Sequence, residues 1–417
     1  MQSRVARVSI VVVDYAGQSF WPPLVRSLAN QTFADFEVII VDNAGDLSIA
    51  DETLGVKIRL IVSESNLGYA EGCNLGLRCA SGDLVVFLNN DTIVDSEWLE
   101  NLKCRMETDP AIAAVVSKVL FYPKYVQMEI ETPVFAPVDI GPSNDMRELG
   151  VRMRFDPSWN ESSGLLNMAG FHGKEGEDGD EWRWTRQNAD ACIPLSDLEE
   201  HNRLVLDTTA ENGSFTAKLF LGGKEVSILN GGKRHVIGFT TTSSNDVINS
   251  AGSELDEKGE CLETGIYEID RGQYDDPREV TAFSGCSVMV RREAFEKLGG
   301  FDPAFFAYYE DTDLSWRMRK AGWKIMYEPK SVVRHHRSST SGEQSPFFCY
   351  HIYRNKHWNI AKNARIGTAL LSLARECFCW IPKLVNTNAE YSRWRLKRQT
   401  VLGMLRYLLK RAFQKIG

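Results

Sequence analysis

The sequence of 417 residues lacks several features that define common functional classes. It has no uncharged apolar run of about 18 residues, so no membrane-spanning helix is expected. Its first apolar run, Val8–Val13, ends at Asp14 without the cleavage site of a secretory signal. The nine cysteines are odd in number and form no CxxC pair, which argues against a disulfide scaffold. We therefore expect a cytoplasmic protein in a reducing compartment.

Acidic residues are scarce near the C-terminus. Residues 345–417 contain 14 Lys and Arg against 2 Asp and Glu, a net charge of +12, whereas the other 344 residues carry −20. This basic region is expected to be helical, and its charge predicts an anionic partner. Aromatic residues are interleaved with the basic ones: Trp358, Phe378, Trp380, Trp394 and Tyr407.

Two interpretations of residues 345–417 remain open. A helical segment with aromatic and basic residues is typical of a peripheral contact with a membrane surface, here the inner face of the cell membrane. The same segment fits a helical cap on the rest of the chain or a contact with nucleic acid. No nucleic-acid-binding motif occurs, so no nucleic-acid partner is expected.

The first 120 residues alternate short apolar runs with amphipathic stretches. The runs Val8–Val13, Glu37–Val41, Ile58–Val62 and Leu84–Leu88 predict buried strands. The stretches 67–80 and 95–108 predict helices, the second with Asp95 or Ser96 as its N-cap. This alternation indicates an α/β fold with a mostly parallel sheet that is covered on both faces.

The pattern changes to alternating runs separated by Gly-rich turns between residues 129 and 235. We expect an inserted antiparallel β-sandwich there, between two parts of an α/β domain at 1–128 and 236–344. Trp182 and Trp184 share one face of a strand, where they either stack on a glycan or belong to the sandwich core. A surface that joins subunits in a homo-oligomer is a further alternative for the insert.

Polar groups follow three of the predicted strands directly. They are Asp14-Tyr15, Asp42-Asn43 and Asn89-Asn90-Asp91. Asp and Asn also favour turns, so a single group of this kind means little. Three groups on successive strands are expected to converge on one crevice beyond the strand ends, where open α/β sheets bind ligands. A carboxylate such as Asp91 suits Mg²⁺ or Mn²⁺, with phosphate oxygens completing the shell.

A second acidic cluster lies in the stretch 305–317, where carboxylates follow an aromatic run and open a helix. Asp311, next to Glu310, is the candidate general base. Asp313 is interpreted as a residue that compensates the helix dipole.

These motifs together resemble the inverting GT-A glycosyltransferases of the large family 2 type, and within them the bacterial rhamnosyltransferase-like group. The resemblance covers about residues 5–125 and 236–340. The motifs that carry it are SIVVVDY, VDNAG, NLGYAEGCNLGL, SGDLVVFLNND, SGCSVMVRREAFEKLGGFD, FFAYYEDTDLSWR and VVRHHRSST. It implies a GT-A nucleotide-diphospho-sugar transferase fold that contains the inserted sandwich.

The resemblance also implies roles at the donor site. Asp91 is similar to the last acid of the metal-binding DxD-type motif, whose two earlier positions are Asn89 and Asn90 here. His335 aligns with the histidine that completes the metal shell, although the adjacent His336 leaves the register open. The metal would be Mg²⁺ or Mn²⁺. The remaining donor-site candidates are Asp14, Asp42 at the nucleotide base, Asn66 and Gly68.

The implied reaction is a single displacement in which Asp311 deprotonates the acceptor hydroxyl. A nucleotide-diphosphate sugar is the donor, with rhamnose preferred, and the acceptor is a bacterial surface glycan or a lipid-linked glycan. A QxxRW motif of processive synthases is absent, so transfer of one or a few sugars is expected. The alternative is a non-catalytic protein that binds glycans through the insert. A nucleotidyltransferase is disfavoured because no Gly-rich phosphate loop follows the first strand.

Overall fold

The computed structural model describes residues 7–48, 54–134, 136, 145–155, 166–172, 175, 182–195, 202–209, 216–230, 233–239, 244–256, 258–336, 345–378 and 393–413. The chain divides into two compact units. The first comprises residues 1–120, 249–266 and 272–417, and the second comprises 121–248 and 267–271. The predicted insert boundaries at 129 and 235 fall inside the second unit.

The first 122 residues alternate strands with helices. The strands are β1 (Val8–Asp14), β2 (Phe36–Asp42), β3 (Ile58–Val62), β4 (Leu84–Asn89), β5 (Thr92–Val94) and β6 (Ile112–Tyr122). The helices are α1 (Trp21–Ala29), α2 (Gly68–Cys79) and α3 (Trp98–Glu107), and a short 3₁₀ turn (Gln18–Phe20) precedes α1. The expected N-cap of α3 is wrong, because Glu97 occupies that position and makes no side-chain cap.

Both faces of β1 are buried because its side chains alternate between two helical layers. Val8, Ile10 and Val12 join a core with the apolar residues of α1 and α3. On the other face α2 approaches closely, since a Cβ atom on Gly76 would lie 2.3 Å from Cγ1 of Val11. Glycine at that position therefore allows the helix to pack against the strand.

Eight strands form the second unit. They are β7 (Tyr125–Glu131), β8 (Arg152–Phe155), β9 (Leu166–Phe171), β10 (Arg183–Pro194), β11 (Asn202–Thr209), β12 (Thr216–Leu221), β13 (Lys224–Asn230) and β14 (Arg234–Phe239). They pair antiparallel in the order β13-β12-β7-β10-β8-β11-β14, with β9 beside β10. Alternate residues of β7, β8, β10 and β12 bury one shared core.

Trp182 and Trp184, which lie in this unit, surround an arginine. The guanidinium carbon of Arg152 lies 4.9 Å from the ring centroid of Trp182 and 5.9 Å from that of Trp184. Trp184 is buried. The glycan-stacking interpretation of the pair is therefore disfavoured, because one ring is inside the unit and the cation already contacts both.

The remaining elements before the C-terminal region are mostly short. The strands are β15 (Ile248–Ser250), β16 (Ser253–Leu255), β17 (Cys261–Glu263), β18 (Arg278–Glu279), β19 (Ser287–Arg291) and β20 (Lys324–His336). The helices are α4 (Arg292–Lys297) and α5 (Glu310–Lys320), and a 3₁₀ turn (Pro303–Phe305) lies between them.

The main sheet of the first unit has the order β18-β20-β6-β19-β4-β1-β2-β3. Strands β3, β2, β1 and β4 pair in parallel, whereas β19 is antiparallel to both β4 and β6. The α/β class is confirmed. The prediction of a mostly parallel sheet is wrong for β19, which pairs antiparallel with both of its neighbours. The sequence pattern cannot distinguish the two orientations, because a strand buried on both faces is apolar throughout in either case.

Three helices form the C-terminal region: α6 (Pro346–Asn363), α7 (Ile366–Phe378) and α8 (Arg393–Phe413). Two aromatic residues expected at a membrane surface instead pack inside this layer. The indole N–H of Trp358 lies 3.1 Å from the carbonyl oxygens of Gln399 and Thr400, and Tyr407 is buried with its hydroxyl 3.0 Å from Asp302. Trp380 and the side chains of Phe378 and Trp394 lie outside the described residues. Among the described helices, none is long and apolar enough to cross a bilayer.

Candidate active site

Asp14 ends β1 as a buried carboxylate held by three donors. Its Oδ1 accepts hydrogen bonds from the Asn90 amide at 2.6 Å and from the Trp21 indole at 3.2 Å, and its Oδ2 accepts one from the Gly17 amide at 3.3 Å. Burial raises the pKa of Asp14, and the nearby Asp42 carboxylate acts in the same direction. Asn90 thereby fixes the end of β1 to the turn after β4.

Asp42 ends β2 next to Asp14 in register. Its carboxylate accepts the backbone amides of Ala44, Gly45 and Leu47 at 2.7–3.1 Å, so it holds the following turn closed. One carboxylate oxygen each of Asp14, Asp42 and the exposed Asp46 lie within 4.8 Å of one another. Most lone pairs of the two buried carboxylates are already used by N–H donors.

Asn66 and Gly68 shape the start of α2. The Asn66 side chain accepts the Gly68 amide at 2.9 Å, and the Gly68 carbonyl accepts the Asn43 amide at 3.0 Å. Gly68 has a φ of +75°, and a Cβ atom there would lie 2.6 Å from both the ring and the carbonyl oxygen of Phe306. Only glycine fits this position without displacing the loop that contains Phe306.

Asp91 and His335 lie on facing segments. Strand β5 pairs with β20, which places Thr92 opposite His335. The Nε2 atom of His335 is 3.2 Å from Oδ1 of Asp91, and its Nδ1 is 2.9 Å from Oδ1 of Asn249. The ring of the adjacent His336 instead lies 5.4 Å from the ring of Phe20. His335, and not its neighbour, therefore faces the carboxylate.

The Asp91–His335 pair has the donor chemistry and spacing of a divalent cation site. Adjacent ligands of an octahedral ion with bonds of about 2.1 Å lie roughly 3 Å apart, close to the observed separation. Asn249 beyond His335 is the kind of outer partner that orients a metal-binding imidazole. Two protein ligands would leave the other positions for phosphate oxygens and water.

Asp311 lies in the first turn of α5 with its carboxylate fixed in orientation. Its Oδ2 accepts the Gly285 amide at 2.9 Å, and its Oδ1 accepts the Thr312 amide at 2.6 Å. Burial raises the pKa of Asp311, while these hydrogen bonds oppose the rise. The Tyr69 hydroxyl donates to the Gly285 carbonyl at 2.6 Å, which anchors the segment that faces Asp311.

Glu310 stands beside Asp311 as a second buried carboxyl. Burial, followed by the charges of Asp311 and Asp313, raises its pKa well above the ordinary value. Its Oε2 has no hydrogen-bond partner among the described residues. Burial and the neighbouring carboxylates therefore favour the uncharged form of Glu310.

The loop before Asp311 is held in a strained conformation by α6. Phe306, Tyr308 and Tyr309 have φ values between +67° and +71°, which cost energy for residues with a side chain. The Asn355 amide nitrogen lies within 2.9 Å of the carbonyl oxygens of Phe305, Ala307 and Tyr308. This buried asparagine therefore stabilises the strained loop by donating hydrogen bonds to its backbone carbonyl oxygens.

Asp313 has a structural environment that differs from the predicted dipole role. It is fully buried and accepts hydrogen bonds from Arg317 at 2.9 Å, Lys362 at 2.9 Å and Asn363 at 2.7 Å. Two of these partners come from α6, so Asp313 fastens α5 to the C-terminal helices.

The predicted site residues fall into linked groups within the first unit. Asp14 contacts Asn90, and Asp91 contacts His335. The Asn89 amide donates to the Cys286 carbonyl at 2.9 Å, and Gly285 next to it donates to Asp311. Asp42 differs from the other predicted site residues, because both of its carboxylate oxygens accept backbone amides of the turn that follows it. Its contact with the nucleotide base stays a prediction.

Sequence reasoning missed residues that support the site rather than form it. Asn43, Asn249, Gly285 and Asn355 position functional groups through hydrogen bonds to distant segments. Asn43 could have been found from the sequence, because it belongs to the polar pair Asp42-Asn43 that directly follows a predicted strand. Asn355 lies within a basic helix, where nothing in its neighbours marks it as different from a solvated residue.

Family models match two stretches of the chain. The model "Glycosyl transferase family 2" covers residues 9–158, and "Glycosyltransferase like family 2" covers residues 225–348. A Mycobacterium tuberculosis N-acetylglucosaminyl-diphospho-decaprenol L-rhamnosyltransferase is 46% identical over 65 residues, or 16% of this chain and 21% of that protein. An uncharacterized glycosyltransferase of Haemophilus influenzae is 34% identical over 106 residues, or 25% and 36%. The chain thus spans about a fifth to a third of the length of these curated relatives.

Solved structures with similar chains include glycosyltransferases bound to nucleotides. GalNAc-T7 with UDP, GalNAc and Mn²⁺ has 12% identity and a TM-score of 0.45, with 98% of this chain and 57% of that chain covered. A Pyrobaculum calidifontis mannosyltransferase with GDP-Man and Mn²⁺ has 10% identity and a TM-score of 0.41, with 97% and 88% covered. From the two family-model matches and the mixed sheet, we conclude that the chain carries family 2 glycosyltransferase domains on a GT-A-like fold.

Proposed function

We propose that the protein is a metal-dependent inverting glycosyltransferase that moves a sugar from a nucleotide-diphosphate donor to a hydroxyl group of a bacterial surface-glycan acceptor. The observation that carries this proposal is the presence, in one unit of a family 2 chain, of the Asp91–His335 pair and the oriented carboxylate of Asp311. The first suits a divalent cation and diphosphate, and the second suits a general base.

The reaction needs one base and one site for the leaving diphosphate. Asp311 accepts the proton of the acceptor hydroxyl while that oxygen bonds to the anomeric carbon, and the bond from this carbon to the diphosphate breaks. Asp91 and His335 would hold Mg²⁺ or Mn²⁺, which supplies positive charge beside the leaving group. The single displacement inverts the anomeric configuration and requires no covalent intermediate on the protein.

The environment of Asp311 supports its role as a base. Its hydrogen bonds to Gly285 and Thr312 fix the carboxylate, and burial makes it more basic than an exposed aspartate. The raised pKa of Glu310 next to it favours the uncharged form of that carboxyl, which limits negative charge in the same buried space. A correctly placed base of this kind contributes roughly 10²- to 10⁴-fold to a rate.

A rhamnosyl donor is the preferred choice. The 65-residue match to a protein named as an L-rhamnosyltransferase supports it, as does the motif set that resembles the rhamnosyltransferase-like group. That relative acts, by its name, on a lipid-diphosphate-linked N-acetylglucosamine, so we propose a lipid-linked glycan as the acceptor class. The same residues are compatible with other nucleotide sugars, and the donor must be identified by measurement.

The test is thermal unfolding with a panel of nucleotides and nucleotide sugars, each with and without Mn²⁺. A ligand at 100 times its Kd stabilises the folded state by about 2.7 kcal/mol, which raises the Tm of a chain of this size by roughly 3–5 °C. A Mn²⁺-dependent shift with TDP-rhamnose and TDP supports the full proposal. A shift with UDP compounds alone retains the reaction and rejects rhamnose, whereas no shift with any nucleotide favours the glycan-binding alternative.

A further inference from the structure

Helix α8 is apolar on two opposite sides. Leu396, Met404 and Tyr407 are buried against the other C-terminal helices. On the outward side Leu402, Leu405, Leu409 and Phe413 recur every three or four residues, a spacing that places them in one stripe along the helix. All four are exposed, Leu409 to 57% and Phe413 to 70%. A surface helix normally presents polar residues on its outward side.

Helix α7 adds Ile366, Leu370 and Leu371, which are also exposed. These two helices together hold seven of the thirteen exposed large apolar side chains in the described part of the first unit. Scattered exposed apolar residues need no explanation, but a concentration on two neighbouring helices indicates a contact surface.

The exposed charged residues on the described parts of α7 and α8 are all basic. Arg375, Arg395, Arg398, Arg406 and Lys410 are exposed. Within the described residues of the two helices, Glu376 alone is acidic, and it is buried against Tyr353 and His357. The described outward residues of the two helices therefore combine leucine with arginine and include no carboxylate.

This composition favours one occupant. A nucleic acid would satisfy the arginines but leave the row of leucines in water. A second copy of the same face would bring positive charge against positive charge. An anionic bilayer surface meets both needs, because its phosphates pair with the cations and its acyl boundary accepts apolar side chains. We propose that the outward face of α7 and α8 docks on anionic lipid bilayers. Trp358 and Tyr407 pack inside the molecule, so the described contact surface is formed by leucine, isoleucine and phenylalanine side chains.

The test measures sedimentation of the full chain with vesicles of phosphatidylcholine, with and without phosphatidylglycerol. This readout does not depend on sugar transfer, so the docking proposal and the proposed function can fail separately. We expect binding to the anionic vesicles that weakens with added salt, because the attraction of exposed charges is screened. Equal binding to neutral vesicles, or no binding to either, overturns the proposal.

Three pairs of substitutions locate the contact. Leu402→Ser with Leu409→Ser should weaken binding at least roughly tenfold by removing inserted apolar area. Arg398→Gln with Arg406→Gln should weaken it roughly 30-fold at two charges near an anionic surface. Val226→Ser with Ile228→Ser is the control, since both are exposed strand residues of the second unit. Wild-type binding by the leucine pair, or a leucine-dependent dimer that ignores vesicles, contradicts the proposal.

Discussion

The Nε2 atom of His335 lies 3.2 Å from Oδ1 of Asp91, although the two residues are separated by more than half of the chain. The pairing of β5 with β20 brings them together, because Thr92 is in register with His335. Their contact combines a carboxylate with an imidazole whose other nitrogen is held by Asn249. The geometry makes this pair the candidate metal centre of the first unit.

We expect Asp91→Ala and His335→Ala each to abolish the Mn²⁺-dependent part of nucleotide-diphosphate binding. The reason is that each substitution removes one of two protein ligands. Titration calorimetry with a nucleoside diphosphate, with and without Mn²⁺, measures the effect. His336→Ala is the matched control, since that ring contacts Phe20 and not Asp91. Unchanged metal dependence in His335→Ala would place the ion elsewhere, with the cluster of Asp14, Asp42 and Asp46 as the next site to examine.

We expect Asp311→Asn to retain donor binding and to lower the kcat of transfer by roughly 10²- to 10⁴-fold, because the amide cannot accept the proton. Asp313→Asn is the control on the same helix, and it should lower stability rather than act through chemistry, because Asp313 pairs with Arg317 and Lys362. Steady-state kinetics together with thermal unfolding separates the two effects. Wild-type transfer by Asp311→Asn would show that another group is the base.

The pH dependence of transfer should follow the raised pKa of Asp311. Burial raises this pKa, so the base becomes protonated at a higher pH than an exposed aspartate. The kcat/KM should therefore fall as the pH drops through the raised pKa, and the acid limb should lie above the ordinary aspartate value of about 3.9. A profile of kcat/KM against pH measures it. An acid limb at or below that value would contradict the assignment.

Glu263 gives a prediction for stability. Burial raises its pKa from the ordinary value of 4.5 to about 7, while the hydroxyl groups of Ser250 and Ser253 oppose the rise. A carboxyl group with a raised folded-state pKa stabilises the protein below pH 4.5, and this contribution is lost as the pH rises through about 7. Between pH 5 and 8 the wild type should therefore lose stability relative to Glu263→Gln, by roughly a few kcal/mol at most. Denaturant unfolding at both pH values measures the difference, and parallel curves would reject it.

Gly68→Ala should destabilise the protein more than Gly322→Ala. Both glycines have positive φ, which costs an alanine roughly 1–2 kcal/mol. A Cβ on Gly68 would also lie 2.6 Å from Phe306, whereas one on Gly322 would meet nothing within 4 Å. Overpacking of this kind adds roughly 1–3 kcal/mol. Equal losses in denaturant unfolding would show that the loop around Phe306 moves without cost.

Much of the first unit could be predicted from local pattern. The predicted strand 8–13 is observed as Val8–Asp14, and the predicted helix 67–80 as Gly68–Cys79. Continuous apolar runs and helix periodicity report burial directly, so such elements are visible in the sequence. The orientation of β19 was not visible, because burial on both faces gives the same composition in parallel and antiparallel strands.

The sequence predicts which residues form the candidate site, but it does not predict the residues that hold them in position. Asp91, Asp311 and His335 were named from motifs, and the structure adds their distances and partners. Asn355 could not be found in this way, because its three backbone acceptors lie about 50 residues earlier in the chain. A hydrogen bond between distant segments leaves no periodic signal. The sequence predicts that aromatic residues of the region 345–417 face a membrane, whereas Trp358 and Tyr407 pack inside the molecule.

The hydrogen bonds from Asn355 to the loop before Asp311 affect how the activity of C-terminally truncated forms of this protein should be interpreted. A chain that ends near residue 344 keeps every motif residue of the candidate site, yet loses the helix that satisfies the carbonyls of Phe305, Ala307 and Tyr308. Inactivity of such a chain would therefore say nothing about lipid contact, because we expect the loss of these hydrogen bonds to displace the proposed base, Asp311. The proposed membrane contact of the C-terminal helices can be separated from their support of this loop only by substitutions on their outward side, which leave the inner side of α6 intact.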